Sequence, residues 1–183
     1  MLGLSSGLMT SSTWSRELVF EYTSDFTSSV DGWEAVNVEG TPTITTGENP
    51  PGVSGEDDWL KVVFTEDQTA PGGIKSDAAG DGGMSGVNTK TGDLGIVSYK
   101  IYLSGDWSGS DDVSTSSSFF GLMPGTNVAQ DSIVTVNHER LSISNWGANA
   151  TTREFKIRWS NPFDTPNNGA TFWMKDFNIK VYR

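Results

Sequence analysis

Apolar and polar residues alternate with a period of two along most of this chain, and the 3.6-residue spacing of a surface helix is essentially absent. The clearest run is Val97, Tyr99, Ile101 and Leu103, with Ser98, Lys100 and Tyr102 between them. Leu18, Phe20 and Tyr22 form a second run and Leu60, Val62 and Phe64 a third. Phe155, Ile157 and Trp159 form a fourth, separated by Lys156 and Arg158. Side chains of a strand point alternately to its two faces, so each run predicts a strand buried on one side and wet on the other. Further strands are predicted over Trp33–Val38, Thr43–Thr46, Gly73–Ser76, Ser118–Met123, Ser132–Val136 and Leu141–Ser144. His138 and Glu139 then fall at a turn between the last two, as surface residues.

Turn-forming stretches separate the runs: GENPPGVSGEDD, APGG, GDGG, SGDWSGSDD, MPGTN and SNPFDTPNNG. Gly and Asn supply positive φ in them, and Pro fixes φ. About ten short strands at this spacing fit an all-β fold of two packed antiparallel sheets, a β-sandwich of jelly-roll type. The 183 residues suit one such domain, with no internal repeat and no interdomain linker. Residues 1–16 stand apart. Leu2, Leu4, Leu8, Met9 and Trp14 lie among Gly and Ser with no usable period. Such a segment is either a frayed terminus or, since apolar residues on an arm bury well only against a partner, an arm that docks onto other proteins or a second copy, leaving the sandwich as residues 17–183.

Composition narrows the chemistry. The chain has no Cys, which excludes disulfides and thiolate metal sites, and one His, which excludes multi-His metal centres. A formal net charge of -11 makes nucleic acid a poor partner and leaves carboxylates available for Ca²⁺. No apolar stretch approaches the roughly 20 residues of a membrane span. The first residues lack the basic segment and apolar core of a signal peptide.

Three segments resemble the jelly-roll carbohydrate-binding modules found beside xylanases and related glycosidases. DFTSSVDGWEAV (Asp25–Val36) is similar to the opening of that family, LGIVSYKIYLSGDW to its long central strand, and GATFWMKDFNIKVYR to its final strand. In the last, Phe172 and Met174 share one parity, whereas Phe177, Ile179 and Val181 have the other. A bulge near Lys175–Asp176 brings both sets to one face, as the family's acidic pair does. The resemblance implies a structural Ca²⁺ held by Asp176 with oxygens from Glu21 or Asp25; Lys175 replaces the first acid of the pair, which opposes a cation and leaves a hydrogen-bonded bulge as the alternative. MLGLSSGLMTSS, in turn, resembles the Gly/Ser/Leu openings of tailed-phage virion proteins that precede lectin-like sandwiches.

Modules of this kind bind sugars by stacking on exposed aromatic faces. Trp107 and Trp146 fall in predicted loops and Tyr102 points outwards on the central strand, so these three are the candidate glycan contacts, unless the two tryptophans fold back as lids over the ends of the sandwich. Trp33, Trp59 and Trp159 follow strand patterns and are expected in the core. The acidic stretches at Glu56–Asp58 and Asp111–Asp112 lack the order of a calcium loop and are expected to be solvated. No nucleophile motif accompanies His138, so the chain is not expected to be an enzyme. Two readings follow. One is a bacteriophage virion structural protein, a capsid decoration or tail-associated protein made in the host cytoplasm, which assembles through its arm with other virion proteins and with itself. The alternative is an extracellular carbohydrate-binding module.

Overall fold

A computed structural model describes residues 16–55, 58–69, 72–77, 89–105, 107, 112–117, 121–122, 126–141, 154–159 and 166–183. The strands are β1 (Leu18–Ser24), β2 (Trp33–Val36), β3 (Thr43–Thr46), β4 (Leu60–Val63), β5 (Gly73–Asp77), β6 (Leu94–Leu103), β7 (Asp112–Ser117), β8 (Gly121–Leu122), β9 (Thr126–Asn127), β10 (Ile133–Leu141), β11 (Glu154–Trp159) and β12 (Thr171–Tyr182). There is no helix among the described residues. The first sheet runs β10-β6-β12-β4-β3, with β1 also on β12; the second runs β2-β5-β11-β7-β8, with β9 also on β7. All pairings are antiparallel, which makes the expected all-β sandwich.

The inner face of the first sheet carries the predicted alternation. Val97, Tyr99, Ile101 and Leu103 of β6 are buried, as are Leu60 and Val62 of β4. Trp33 from the second sheet meets Phe177 edge-on, with ring centroids 4.9 Å apart, and Tyr99 stacks on the same ring at 6.2 Å. Nearer the start of β12, Phe172, Phe64 and Trp107 form another aromatic group, with centroids 5.9 to 6.5 Å apart. Aromatic pairs in such tilted geometries add attraction beyond the area they bury.

β12 organises the first sheet. Its residues Thr171–Met174 pair with β4, and Phe177–Tyr182 pair with β1, so two strands share one of its sides. Lys175 and Asp176 span the gap between them, and the register with β6 shifts there. Asp176 has φ 53°, a left-handed conformation that Asp tolerates better than most residues. This is the bulge expected from the parity switch. It places Phe172, Met174, Phe177, Ile179 and Val181 all inside, each at most 2% exposed. A straight strand would expose one of the two sets, at roughly 1.5–3 kcal/mol per side chain.

Three expectations are corrected. The strand expected at Ser132–Val136 runs on to Leu141 as β10, paired with β6 without interruption from Ile133 to Leu141, whereas residues 142–144 of the strand expected at Leu141–Ser144 lie outside the described residues. His138 therefore lies within a strand, opposite Val97, and is buried; its Nε2 is hydrogen-bonded to Thr126 Oγ1 at 2.9 Å. The polar Asn-His-Glu-Arg run looks like a turn, but Asn137 and Glu139 face solvent while the Thr126 hydroxyl accommodates the ring inside. Asp112 and Thr126–Asn127, expected in turns, lie in paired strands β7 and β9, while β8 falls within the strand expected over Ser118–Met123.

Candidate functional site

The outer face of the first sheet carries a second hydrophobic cluster. Lys61 of β4, Trp173 of β12 and Tyr102 of β6 are register partners in one row across the sheet. Lys175 and Lys100 form the next row. Trp59, one residue before β4, has the outward parity of Lys61 and packs against Trp173 and Tyr102. The gap between β4 and β1 leaves room beside Lys175 for this indole. Tyr102 and Trp173 meet edge to face at 5.3 Å. Although the three rings are on the outside of the sheet, they are only 0%, 4% and 6% exposed for Trp59, Tyr102 and Trp173 respectively.

Ammonium groups cover these rings. Lys175 Nζ is 5.4 Å from the Trp59 centroid and 2.8 Å from Asp58 Oδ1. Lys61 Nζ is 5.9 Å from the Trp173 centroid and pairs with Glu48. Lys100 Nζ pairs with Asp176 at 2.8 Å. The two aromatic contacts differ in how readily they open. The Lys175 side chain is 5% exposed, whereas Lys61 is 22% exposed and its partner Glu48 60%. A pair whose acidic partner is largely exposed, like the second, contributes about 0–1 kcal/mol, so Glu48 does little to hold Lys61 over the ring. The Tyr102 hydroxyl donates to Asp131 Oδ1 at 3.3 Å; burial first, and then the Asp131 charge and this hydrogen bond, raise its pKa above the ordinary value.

The cluster has an unusual hydrogen-bond balance. Trp59 Nε1 and Trp173 Nε1 are buried and have no acceptor. A buried donor without a partner costs about 1–3 kcal/mol. An outside acceptor reaches either N–H only if the side chains packed over the indoles move aside.

The sequence-predicted residues are distributed otherwise. Tyr102 belongs to the cluster but is buried in it, because Trp59 and Trp173 cover its ring. Trp107, expected in a solvent-facing loop, is 6% exposed and sits in the inter-sheet core, where Nε1 donates to Thr171 O at 3.2 Å. It is the lid over the sandwich end that the sequence left as an alternative. Trp146 and the arm residues Leu2, Leu4, Leu8, Met9 and Trp14 lie outside the described residues. Trp33 is in the core as expected, the side chain of Trp159 is not described, and Trp59 is buried on the opposite face from the one expected. Trp173 was missed, yet its parity opposite Phe172 assigns it to the outer face.

The proposed Ca²⁺ ligands do not assemble. Asp176 pairs with Lys100, Glu21 accepts from Asn178 and pairs with Lys180, and Asp25 Oδ1 accepts from Thr27 N and Oγ1. Hydrogen bonds from Asn178 and Lys180 lower the Glu21 pKa. Among the described residues no group of three or more metal-ligating side chains comes together. At the bulge of β12 the Asp176 carboxylate is taken up by an ammonium-carboxylate pair with Lys100.

No family model matches the chain, and no curated protein matches it by sequence. Solved structures do. The CBM22-1 xylan-binding domain from Paenibacillus barcinonensis Xyn10C is similar over 91% of this chain and 95% of its own, at TM-score 0.56 and 13% identity. The N-terminal cellulose-binding domain of Cellulomonas fimi β-1,4-glucanase C is similar over 84% and 91%, at TM-score 0.52 and 15% identity. A cyclase from Fischerella sp. TAU is similar over 82% and 84%, at TM-score 0.53 and 10% identity. The arabinose-bound α-L-arabinofuranosidase MgGH51 gives TM-score 0.66 at 10% identity, but this chain spans only 27% of its length. At these identities the likeness establishes the fold: a jelly-roll β-sandwich of the kind found in carbohydrate-binding modules.

Proposed function

We propose that this chain is a non-catalytic domain that binds polysaccharide on the outer face of its first sheet. The observation that carries the reading is the Trp59–Tyr102–Trp173 cluster, with two indole N–H groups that lack acceptors and a displaceable ammonium over Trp173. Likeness over nearly whole domains to xylan-binding and cellulose-binding modules supports it, although one fold hosts many functions. A sugar ring replaces the Lys61 ammonium on Trp173, since aromatic faces attract partly positive C–H groups as they attract cations. The test is affinity electrophoresis through gels containing xylan, cellulosic or mixed-linkage glucans. Retardation by at least one polymer, lost in Trp173→Ala while its far-UV circular dichroism still shows a folded β domain, is the expected result. Free migration of the wild type in a broad panel refutes the reading.

Assembly through the N-terminal arm, as in a virion, is a second reading, and the apolar surface beside Arg16 supports only docking at that place. Leu18, Val19 and Leu141 are among the exposed large apolar residues, at 45%, 36% and 51%. A cavity of about 350 Å³ lined by Arg16, Leu94, Glu139, Arg140 and Leu141 lies where the arm joins the sandwich. Deleting residues 1–16 is expected to leave a folded domain that no longer incorporates into particles; normal incorporation would refute this reading.

A further inference from the structure

The two ends of the first sheet are built differently. At one end β3 has four residues and follows Pro42, two features that discourage pairing with another chain. At the other end β10 has nine residues, IVTVNHERL, with no Pro and no Lys. It pairs with β6 at nine consecutive positions without a bulge. Among the described residues no strand pairs with its other side. A long, regular edge of this kind is a template for an added strand.

The outward side chains of β10 select which strand. They are Ile133, Thr135, Asn137, Glu139 and Leu141, all exposed. Ile133 and Leu141 are two of the four exposed large apolar residues described, at 44% and 51% exposure, and they stand at equal distances on either side of Asn137. An antiparallel copy of β10 centred on Asn137 therefore places Ile133 opposite Leu141 of the partner subunit, Thr135 opposite Glu139 of the partner subunit, and Asn137 opposite Asn137 of the partner subunit. Side chains directly opposite in an antiparallel pair lie on the same face with Cβ atoms about 4.5–5.5 Å apart. Both apolar residues are then covered, twice over, and the centre is an amide pair that can both donate and accept. Sliding the register by two residues in either direction separates Ile133 from Leu141. The even-numbered positions, Val134 and Val136 with His138 and Arg140, stay on the inner side.

We infer that β10 is a homodimerisation edge, joining two copies about a two-fold axis at Asn137 into one continuous sheet. The interface is isologous, as most dimer interfaces are. The net charge of -11 on each chain opposes association at long range, so the dimer forms more readily in salt, which screens that repulsion.

The test uses the full chain, which has no cysteine of its own. Asn137→Cys is expected to form an intermolecular disulfide under mild oxidation, as the two-fold axis puts the position opposite itself. Ser98→Cys, on β6 beside Asn137 but away from the edge, is the control and should stay monomeric. Asn137→Lys, which sets two ammonium groups against each other, should weaken dimerisation measured by analytical ultracentrifugation by about tenfold or more while keeping the melting temperature. A wild-type chain that sediments as a monomer at high concentration and moderate salt overturns the inference. So does a dimer that Asn137→Lys leaves intact, or cross-linking as fast at Ser98→Cys as at Asn137→Cys.

Discussion

Four tryptophans with described side chains fall into two pairs. Trp33 and Trp107 lie between the sheets, and both indole N–H groups have acceptors: Ser24 Oγ at 3.3 Å and Thr171 O at 3.2 Å. Trp59 and Trp173 lie outside the first sheet, are buried just as deeply, and have none. The apolar gain is similar in the two pairs, so burial does not distinguish them; polar satisfaction does. The inner pair is finished as a structural core. The outer pair keeps two N–H groups that no described acceptor satisfies.

The contrast can be broken most forcefully at Trp33. Trp33→Ala removes the ring between Phe26 and Phe177 and should cost about 3–5 kcal/mol in urea unfolding. A smaller effect is expected for Trp107→Phe, which keeps most of the apolar bulk but removes one of the two donors to Thr171 O, the Ser104 N–H being the other, at about 1–1.5 kcal/mol. Asp93 extends the comparison to a charge. Its carboxylate accepts from Lys90 N and from Arg183 Nε and Nη2. Burial alone would raise its pKa, but Arg183 and the Lys90 amide outweigh that and hold it below the ordinary value. A depressed folded pKa contributes stability that is present above the unfolded value, about 3.9, and is lost as pH falls through the folded one. Asp93→Asn should therefore lower stability by about 1 kcal/mol at neutral pH, given the exposed guanidinium, and the difference should vanish in acid. Smallest, and opposite in tendency, is Trp173→Phe. Removing an orphan donor offsets the lost area, so its melting temperature should stay within about 2 °C of the wild type or exceed it. A loss as large as that for Trp107→Phe would show the outer pair to be structural too.

Strand existence was legible wherever alternation was regular, as in β6 and β4, because one wet face enforces a period of two. The bulge of β12 was legible for the same reason: two apolar sets of opposite parity cannot both be buried on a straight strand. The outer cluster was harder to see. Burial on the outer face depends on a neighbouring strand stopping short, and nothing local to Trp59 says where β1 and β4 end. Trp107 misled because Gly, Ser and Asp surround it, although its ring turns back between Phe64 and Phe172. His138 was hidden by a partner in Thr126, which lies in a predicted turn. The two-fold placement of Ile133 and Leu141 becomes visible only once β10 is known to be one strand at the edge.

The central place of β12 also bears on how the chain reaches its fold. It is the final strand in chain order, yet β1, β4 and β6 all pair with it. During synthesis those three strands are complete well before their common neighbour appears, so the first sheet cannot close until almost the entire domain has left the ribosome. Folding is then late, dominated by pairings distant in sequence and slow for the domain's size, with open strand edges present in the meantime. Loss of the last dozen residues would remove the strand on which the whole sheet converges.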